Sequence, residues 1–261
     1  MSDWPGIETV ELPAGRVHFR LAGNAAGPAL LLLHCAGGNG ETFYMLRPAL
    51  EPHFNVLTSD LYLHGPDPQP FEDDLSGVEY VRRAVERQFG LIDALRASGR
   101  ISGAPLRVLA ISMGAQVAMK MAGDRPEIFE RMVLADTWAD TFFVDPKDRF
   151  ASYHREWARS HPDEVMEWVR HWMRTNPVIL NKLLTAVTRQ PDGITREIAK
   201  IKLPVLLLCG AEDRVTPPDE MKKLQGLIAG SELRILPGLK HLPMVEAPER
   251  FLAEALPFLR A

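Results

Sequence analysis

The feature that most constrains the fold is an alternation between short apolar runs and longer segments with helical periodicity. The apolar runs, each as long as a buried strand, are residues 29–33, 56–58, 106–111, 132–135 and 205–209. Further strands are predicted at residues 17–21 and 233–236, and helices at residues 76–97, 114–123, 217–229 and 247–259. Strands that alternate with helices along a chain assemble into a largely parallel sheet covered by helices. The sequence therefore predicts an α/β fold.

The alternation stops between residues 137 and 202, where the chain is helix-like and holds four of the five tryptophans. No apolar run in this stretch has the pattern of a buried strand. We predict that residues 137–202 form a helical lid, inserted into a core built from residues 1–136 and 203–261.

Three tryptophans of this stretch are candidates for contact with a substrate. Trp168 and Trp172 are four positions apart and share one face of a predicted helix. Together with Trp138, they either pack inside the lid or line an apolar pocket. Acidic and basic residues are mixed along the predicted lid, and in the predicted helix at residues 163–174 they fall mostly away from the tryptophan face. A neutral acyl group is therefore favoured over a carboxylate as the bound group.

Composition and charge exclude several classes of partner. The 30 basic and 34 acidic side chains give a net charge of −4 and are interspersed, so no surface for nucleic acid or for an anionic membrane is expected. No apolar run reaches membrane-spanning length, and the N-terminus lacks the pattern of a signal peptide, so a cytoplasmic protein is expected. The expected partner is a small molecule, and the oligomeric state is left open.

Neither a disulfide nor a metal site is expected. The two cysteines, Cys35 and Cys209, each stand at the end of an apolar run, as buried reduced thiols do. His154, His161 and His171 lie in one region, but they form no His-Glu-x-x-His pair and join no cysteines at metal-ligand spacing.

A predicted strand, a sharp turn and a predicted helix surround Ser112. Small residues stand two positions before and two after it, at Ala110 and Gly114, and let the strand and the helix approach closely. Glycine is the usual residue where Ala110 stands, so one extra methyl group must be accommodated. This arrangement is typical of a serine nucleophile held above a sheet, and Ser112 is the candidate nucleophile.

With this motif, the chain resembles the α/β-hydrolase family over nearly its whole length, especially the lidded, cofactor-free esterases and 3-oxoadipate enol-lactonases. The resemblance implies an eight-stranded, mostly parallel sheet with helices on both faces, and a lid inserted after the sixth strand, where Thr137 falls. It also implies that no cofactor is used, and that nucleophile, acid and histidine follow one another along the chain in that order.

Both partners that a serine nucleophile needs follow downstream. The loop after residues 205–209 resembles the acid loop of the family and assigns the carboxylate to Asp213 rather than to Glu212. Asp136, after the preceding strand, stands at a rarer acid position and is the alternative. The loop after the last strand resembles the histidine loop and assigns the general base to His241. Such a base accepts the serine proton, and the acid holds the imidazole in the correct tautomer.

Two backbone N–H groups are expected to stabilise the negative charge of the transition state. One is the N–H of Met113, directly after the nucleophile. The loop after residues 29–33 resembles the His-Gly loop of the family, and we assign the second donor to Ala36. Cys35, which stands where the family usually has glycine, is expected to contact the substrate. His34 is expected to brace this loop.

These residues predict a serine hydrolase that cleaves a small to medium, mainly apolar carboxylic ester or lactone through an acyl-enzyme on Ser112. An enol-lactonase, a perhydrolase and a C–C bond hydrolase with the same three residues are alternatives, and so is a ligand-binding receptor of the same fold. The dehalogenase and epoxide-hydrolase branch needs an aspartate as nucleophile, so Ser112 argues against it. His64, in a turn that also resembles the family, is expected to be structural.

Overall fold

The structure, a computed structural model, describes residues 6–65, 75–139 and 195–261. Eight strands form one sheet: β1 (Glu8–Leu12), β2 (Gly15–Gly23), β3 (Ala29–Leu33), β4 (Asn55–Ser59), β5 (Leu106–Ile111), β6 (Phe129–Ala135), β7 (Val205–Gly210) and β8 (Glu232–Leu236). Every strand predicted from the sequence is present. Strand β6 begins three residues before the predicted run. Its first residues include the charged side chains of Glu130 and Arg131, so a search for apolar runs does not find them.

The helices of the described ranges are α1 (Arg47–Leu50), α2 (Gly77–Ala97), α3 (Met113–Asp124), α4 (Thr195–Ile198), α5 (Pro218–Leu227), α6 (Pro243–Glu246) and α7 (Pro248–Arg260). Two short 3₁₀ helices lie at Gly40–Phe43 and Pro126–Ile128. The four predicted helices correspond to α2, α3, α5 and α7. Helix α2 begins where predicted, because the Ser76 hydroxyl accepts a hydrogen bond from the N–H of Glu79 at 3.1 Å.

The sheet is mostly parallel, as predicted. Its strand order is β1-β2-β4-β3-β5-β6-β7-β8. The β1–β2 and β2–β4 pairs are antiparallel, and all other neighbours are parallel. The carboxyl ends of the parallel strands therefore lie along one edge of the sheet, and the loops that follow β3, β5, β6, β7 and β8 gather there.

Helices cover both faces of the sheet. Along β3, Leu31 and Leu33 belong to one core cluster with apolar side chains of α2, α3 and α5. Leu30 and Leu32 belong to the other cluster, with side chains of α1 and α7. All five residues of β3 are buried for this reason, which explains why the strand reads as a continuous apolar run instead of an alternating one.

Most of the predicted lid lies outside the described residues, which stop at 139 and resume at 195. The division into core and lid therefore stays a prediction. Its final turn, α4, is described and packs against α3, where Ile198 joins the core cluster. Within the described ranges, no helix combines the length and apolar character needed to cross a lipid bilayer.

Candidate active site

Ser112 occupies a strained turn between β5 and α3. Its φ and ψ angles are 53° and −120°, which a residue other than glycine rarely adopts. Its N–H donates to the carbonyl of Ala135 on the neighbouring strand at 2.9 Å, so the turn begins directly where the sheet pairing ends. A Cβ atom at Gly114 would collide with the carbonyl oxygens of Leu33 and His34. Only glycine lets α3 start this close to β3.

Two hydrogen bonds connect Ser112, His241 and Asp213. The Nε2 atom of His241 lies 3.2 Å from Oγ of Ser112, and its Nδ1 atom lies 2.8 Å from Oδ2 of Asp213. Because a carboxylate only accepts, Nδ1 carries the ring proton and Nε2 becomes the acceptor for the serine hydroxyl. The three residues are buried, with 6%, 4% and 3% of their surface exposed. The structure thus brings together the residues predicted as nucleophile, base and acid.

Asp213 accepts hydrogen bonds from four donors. Its Oδ1 atom accepts from the N–H groups of Val215 at 2.7 Å and Thr216 at 3.0 Å. Its Oδ2 atom accepts from the Thr216 hydroxyl at 2.6 Å, besides His241. Burial alone would raise the pKa of Asp213, but the charge and hydrogen bond of His241 and the bonds from Thr216 outweigh burial and lower it. Asp213 is therefore a carboxylate that can hold the imidazole.

Glu246 fixes the loop that carries His241. Its Oε2 atom accepts from the N–H of Lys240 at 2.7 Å, and its Oε1 atom accepts from the N–H of Leu242 at 3.0 Å. One carboxylate therefore clamps the backbone on both sides of the histidine. Glu246 ends α6, and its role could not be predicted from the sequence, because no local pattern links a glutamate to the amides four and six residues before it.

Asp136, the alternative acid, lies in the same buried cluster. Its Oδ1 atom accepts from the N–H of Gly210 at 2.9 Å. Asp136, Asp213 and His241 each place a side-chain nitrogen or oxygen within 4.8 Å of the others. Burial, and then the negative charge of Asp213, raises the pKa of Asp136 well above its usual value. The Nδ1–H of His241 donates its hydrogen bond to Asp213, so the geometry favours Asp213 as the acid.

The same three side chains are of types that bind metal ions. However, Nδ1 of His241 and Oδ2 of Asp213 already bond each other at 2.8 Å, and a cation between them would have to break that bond. The arrangement therefore suits proton transfer better than metal binding.

His34 and His64 hold the loop after β3. The Nδ1 atom of His34 donates to the carbonyl of Cys35 at 2.7 Å, and its Nε2 atom accepts from the N–H of Leu61 at 3.0 Å. The Nε2 atom of His64 accepts from the N–H of Gly37 at 2.9 Å. Burial lowers the pKa of His34 well below its usual value and that of His64 to about 4. Both rings are therefore neutral and brace the loop, as expected for them.

The two predicted oxyanion donors belong to the first residue of α3 and to the loop after β3. Met113 begins α3, so its N–H has no partner inside that helix. Among the described residues, none accepts a hydrogen bond from it. Ala36 is buried in the loop after β3. Gly114 of α3 packs against the start of this loop, at the carbonyl of His34. The roles of both N–H groups stay predictions.

Trp138 lies at the start of the chain segment that leaves the sheet after β6, and it is buried. The Nε2 atom of Gln116 donates to the carbonyl of Trp138 at 2.6 Å and lies 3.0 Å from the Thr137 hydroxyl. That hydroxyl donates to the carbonyl of Ser112 at 3.0 Å. The network ties the departing segment to the nucleophile turn, which the sequence did not indicate.

The remaining predicted substrate contacts are only partly covered by the structure. Cys35 is buried, and burial raises the pKa of its thiol to about 12, so the thiol is neutral. Cys35 and Cys209 are both free and buried, as expected. Trp168 and Trp172 lie outside the described residues. The contacts of Cys35 and the tryptophans with a substrate stay predictions.

Comparison with known proteins gives one consistent result. A sequence model described as the alpha/beta hydrolase family matches residues 30–255 of this chain. A protein named Lipase 1 from Psychrobacter immobilis is 23% identical over 265 residues, which cover 92% of this chain and 80% of the lipase. The match to the family model spans the sheet from β3 to β8 and includes Ser112, Asp213 and His241.

Solved structures are similar over almost the entire chain. A hydrolase from Pseudomonas aeruginosa PA01 superposes with a TM-score of 0.82 and 25% identity, covering 99% of this chain and 100% of that one. An enol-lactonase from Burkholderia xenovorans LB400 superposes with a TM-score of 0.81 and 20% identity, covering 97% and 100% of the two chains. At 20% identity, the similarity to the enol-lactonase shows a shared fold only.

Proposed function

The chain belongs to the alpha/beta hydrolase family, and on this premise we propose that it is a serine hydrolase of small to medium, mainly apolar carboxylic esters or lactones. The observation that carries the proposal is the pair of hydrogen bonds from Ser112 to His241 and from His241 to Asp213. A serine hydroxyl is a weak nucleophile unless a base takes its proton. These contacts supply the base and the acid that orients it.

The proposed reaction proceeds through an acyl-enzyme. The Oγ atom of Ser112 attacks the carbonyl carbon while Nε2 of His241 takes the hydroxyl proton, and the Asp213 carboxylate stabilises the imidazolium. The N–H groups of Ala36 and Met113 donate to the oxygen on which negative charge develops. The intermediate then expels the alcohol, which takes the proton from His241. Water, deprotonated by the same histidine, then attacks the acyl carbon. The bond between that carbon and Oγ of Ser112 breaks, the acid leaves, and Oγ takes the proton back from His241.

A neutral acyl group suits the side chains proposed to contact it. These are Cys35, Trp138, Trp168 and Trp172, of which the first two are described and buried. The Cys35 thiol is uncharged, because its pKa lies at about 12. Burying a carboxylate against such groups without a cationic partner costs on the order of several kcal/mol, whereas a neutral chain gains about 0.8 kcal/mol per buried methylene.

The test of the site uses an active-site-directed fluorophosphonate and peptide mapping. The adduct is expected on Ser112, and labelling is expected to abolish hydrolysis of a neutral p-nitrophenyl ester in proportion to occupancy. Many product molecules per enzyme molecule are expected, whereas a receptor of this fold would bind the ester with little turnover. Labelling at another residue with Ser112 unmodified would contradict the assignment.

The test of the substrate class compares a neutral ester with an isosteric ester that bears a terminal carboxylate. We expect a higher kcat/KM for the neutral ester, with little change between low and high salt. A strong preference for the carboxylate that weakens with salt would instead favour an enol-lactonase, because attraction between charges is screened by ions. Cleavage of a 1,3-diketone or peracid formation, with poor ester turnover, would favour the C–C bond hydrolase or the perhydrolase.

A further inference from the structure

A second buried carboxyl group lies beside the proposed acid. Asp136 follows β6 and has no exposed surface. Its φ angle of 41° turns the chain out of the sheet, while its N–H still donates to the carbonyl of Leu208 at 3.0 Å. One carboxyl oxygen of Asp136 lies within 4.8 Å of a carboxyl oxygen of Asp213 and of a ring nitrogen of His241. The mechanism proposed above gives this group no task.

The two oxygens of Asp136 differ in their environment. Oδ1 accepts from the N–H of Gly210 at 2.9 Å. Oδ2 is buried, and no group of the described residues donates a hydrogen bond to it. A buried carboxylate oxygen without a donor is costly, whereas the same oxygen as part of a neutral acid is itself a donor.

The neighbour that can accept from such an acid is Asp213. A side-chain oxygen of Asp136 lies within 4.8 Å of a side-chain oxygen of Asp213, and two carboxyl groups can form a hydrogen bond only if a proton lies between them. Asp213 already accepts from Val215, Thr216 and His241, so it keeps its negative charge. The shared proton therefore resides on Asp136.

The charges around Asp136 favour the same assignment. Asp213 and His241 lie within 4.8 Å of it, and it also interacts electrostatically with Glu246 and with the thiol of Cys209. Burial first, and then the charge of Asp213, raises the pKa of Asp136 well above its usual value. Burial also raises the pKa of the Cys209 thiol, so that group adds no charge at neutral pH. Ionising Asp136 would add a negative charge beside that of Asp213, and the charge of Glu246 opposes it further.

We propose that Asp136 is a protonated acid that donates a hydrogen bond to the Asp213 carboxylate and so acts as a positioning residue for the acid of the active site. This inference rests on the proposed function, because it gives Asp136 a role only if Asp213 serves His241. The O–H of Asp136 is a fifth donor to Asp213 and holds the carboxylate against rotation away from Nδ1.

The first experiment detects the proton without any substrate. Infrared spectra of the wild-type protein at about pH 8 are expected to show the carbonyl band of a protonated carboxylic acid, and Asp136→Asn is expected to remove that band. Asp60→Asn is the control for another buried acid, whose pKa of about 7 leaves it mostly ionised at that pH. Absence of a protonated-acid band in the wild type would overturn the proposal, whether or not the protein hydrolyses esters.

The second experiment separates a proton donor from a charge. In Asp136→Asn, the amide can donate to Asp213 and accept from Gly210 as the neutral acid does, so we expect kcat/KM within about threefold of the wild type and an unmoved acidic limb of the pH profile. Asp136→Leu removes the donor and should lower kcat/KM about tenfold or more. If Asp136 were ionised, Asp136→Asn would remove a negative charge near His241 and shift the acidic limb to lower pH, which would overturn the proposal.

The two experiments keep the proposals apart. If the wild type hydrolyses none of the esters, the proposed function fails while the infrared band still tests the proton. A folded Asp136→Leu variant with wild-type kcat/KM would show that Asp136 positions nothing. Should that variant fail to fold, the infrared spectra and the Asp136→Asn profile still decide the inference.

Discussion

The Nε2 atom of His241 lies 3.2 Å from the Oγ atom of Ser112, although the two residues are 129 positions apart in the chain. Ser112 follows β5 and His241 follows β8, so the contact exists only when the four neighbouring strands β5, β6, β7 and β8 are aligned in parallel. The turn at Ser112 holds the serine at a positive φ of 53° and presents its side chain to the histidine. Backbone strain at this point is offset by the packing of α3 against β3.

Ser112→Ala is expected to keep the fold and to lower ester hydrolysis by several orders of magnitude, because only binding and the oxyanion donors remain. Steady-state kinetics with a neutral ester measure the loss, and circular dichroism checks the fold. Ser98→Ala, at an exposed serine after α2, is the matched control and should retain full activity. Near wild-type turnover by Ser112→Ala would end the serine-hydrolase proposal.

Asp213→Asn is expected to damage the rate far more than Asp136→Asn. An asparagine at position 213 can present an N–H to Nδ1 of His241 and so favour the wrong imidazole tautomer, at a cost of about four orders of magnitude in kcat. Asparagine at position 136 leaves the contact between His241 and Asp213 intact. Parallel measurements of kcat for the two variants give the ranking, and the reverse order would move the acid to Asp136.

Glu246→Gln is expected to lower kcat/KM about tenfold while the fold persists. A glutamine places an NH2 group, which can only donate, where one of the two carboxylate oxygens accepts, so the N–H of Lys240 or of Leu242 loses its acceptor. The loop would then hold His241 less firmly in its reactive orientation. Glu249→Gln, at an exposed position in the first turn of α7, is the control. Equal activity of the two variants would contradict a positioning role for Glu246.

The sequence could predict the sheet and the nucleophile because both leave local patterns. Strands covered on both faces must be apolar throughout, as β3 is, and a strand-turn-helix with glycine at position 114 is needed for a serine in this turn. Alanine can replace the usual glycine at position 110, because its methyl group is part of the core cluster that α3 covers.

The choice between two acids could not be made from residues alone. Asp136 and Asp213 each follow a parallel strand, and only their positions relative to Nδ1 of His241 distinguish them. Glu246 also escaped prediction, because its partners are backbone amides, which have no sequence signature. Thr216 did leave a signal: an aspartate that accepts from the N–H groups two and three residues later forms a common turn, and a threonine at the third position can add its hydroxyl.

Asp60 makes the stability of the protein depend on pH in a way that can be isolated. The residue follows β4, is 3% exposed and accepts a hydrogen bond from the N–H of Gly40 at 3.0 Å through Oδ1. Its Oδ2 atom is buried and has no hydrogen-bond partner in the part of the chain that the structure describes. Burial raises the pKa of Asp60 to about 7, although Gly40 and Arg87 act in the opposite direction.

The sign of the effect follows from which state binds the proton more tightly. The pKa of Asp60 is about 7 in the folded protein and close to 4 for an unfolded chain, so the folded state holds the proton more tightly. The resulting stabilisation is fully present below about pH 4 and is lost as the pH rises towards and through about 7.

Asp60→Asn cannot titrate. Between about pH 5 and pH 8, the free energy of unfolding of the wild type should therefore fall by roughly 2–3 kcal/mol relative to that of the variant. Urea unfolding of both proteins at several pH values in this range measures the difference. Asp93→Asn, at an exposed aspartate of α2, should show no such change. A difference between wild type and Asp60→Asn that stays constant from pH 5 to pH 8 would mean that Asp60 is already ionised in the folded protein at pH 5.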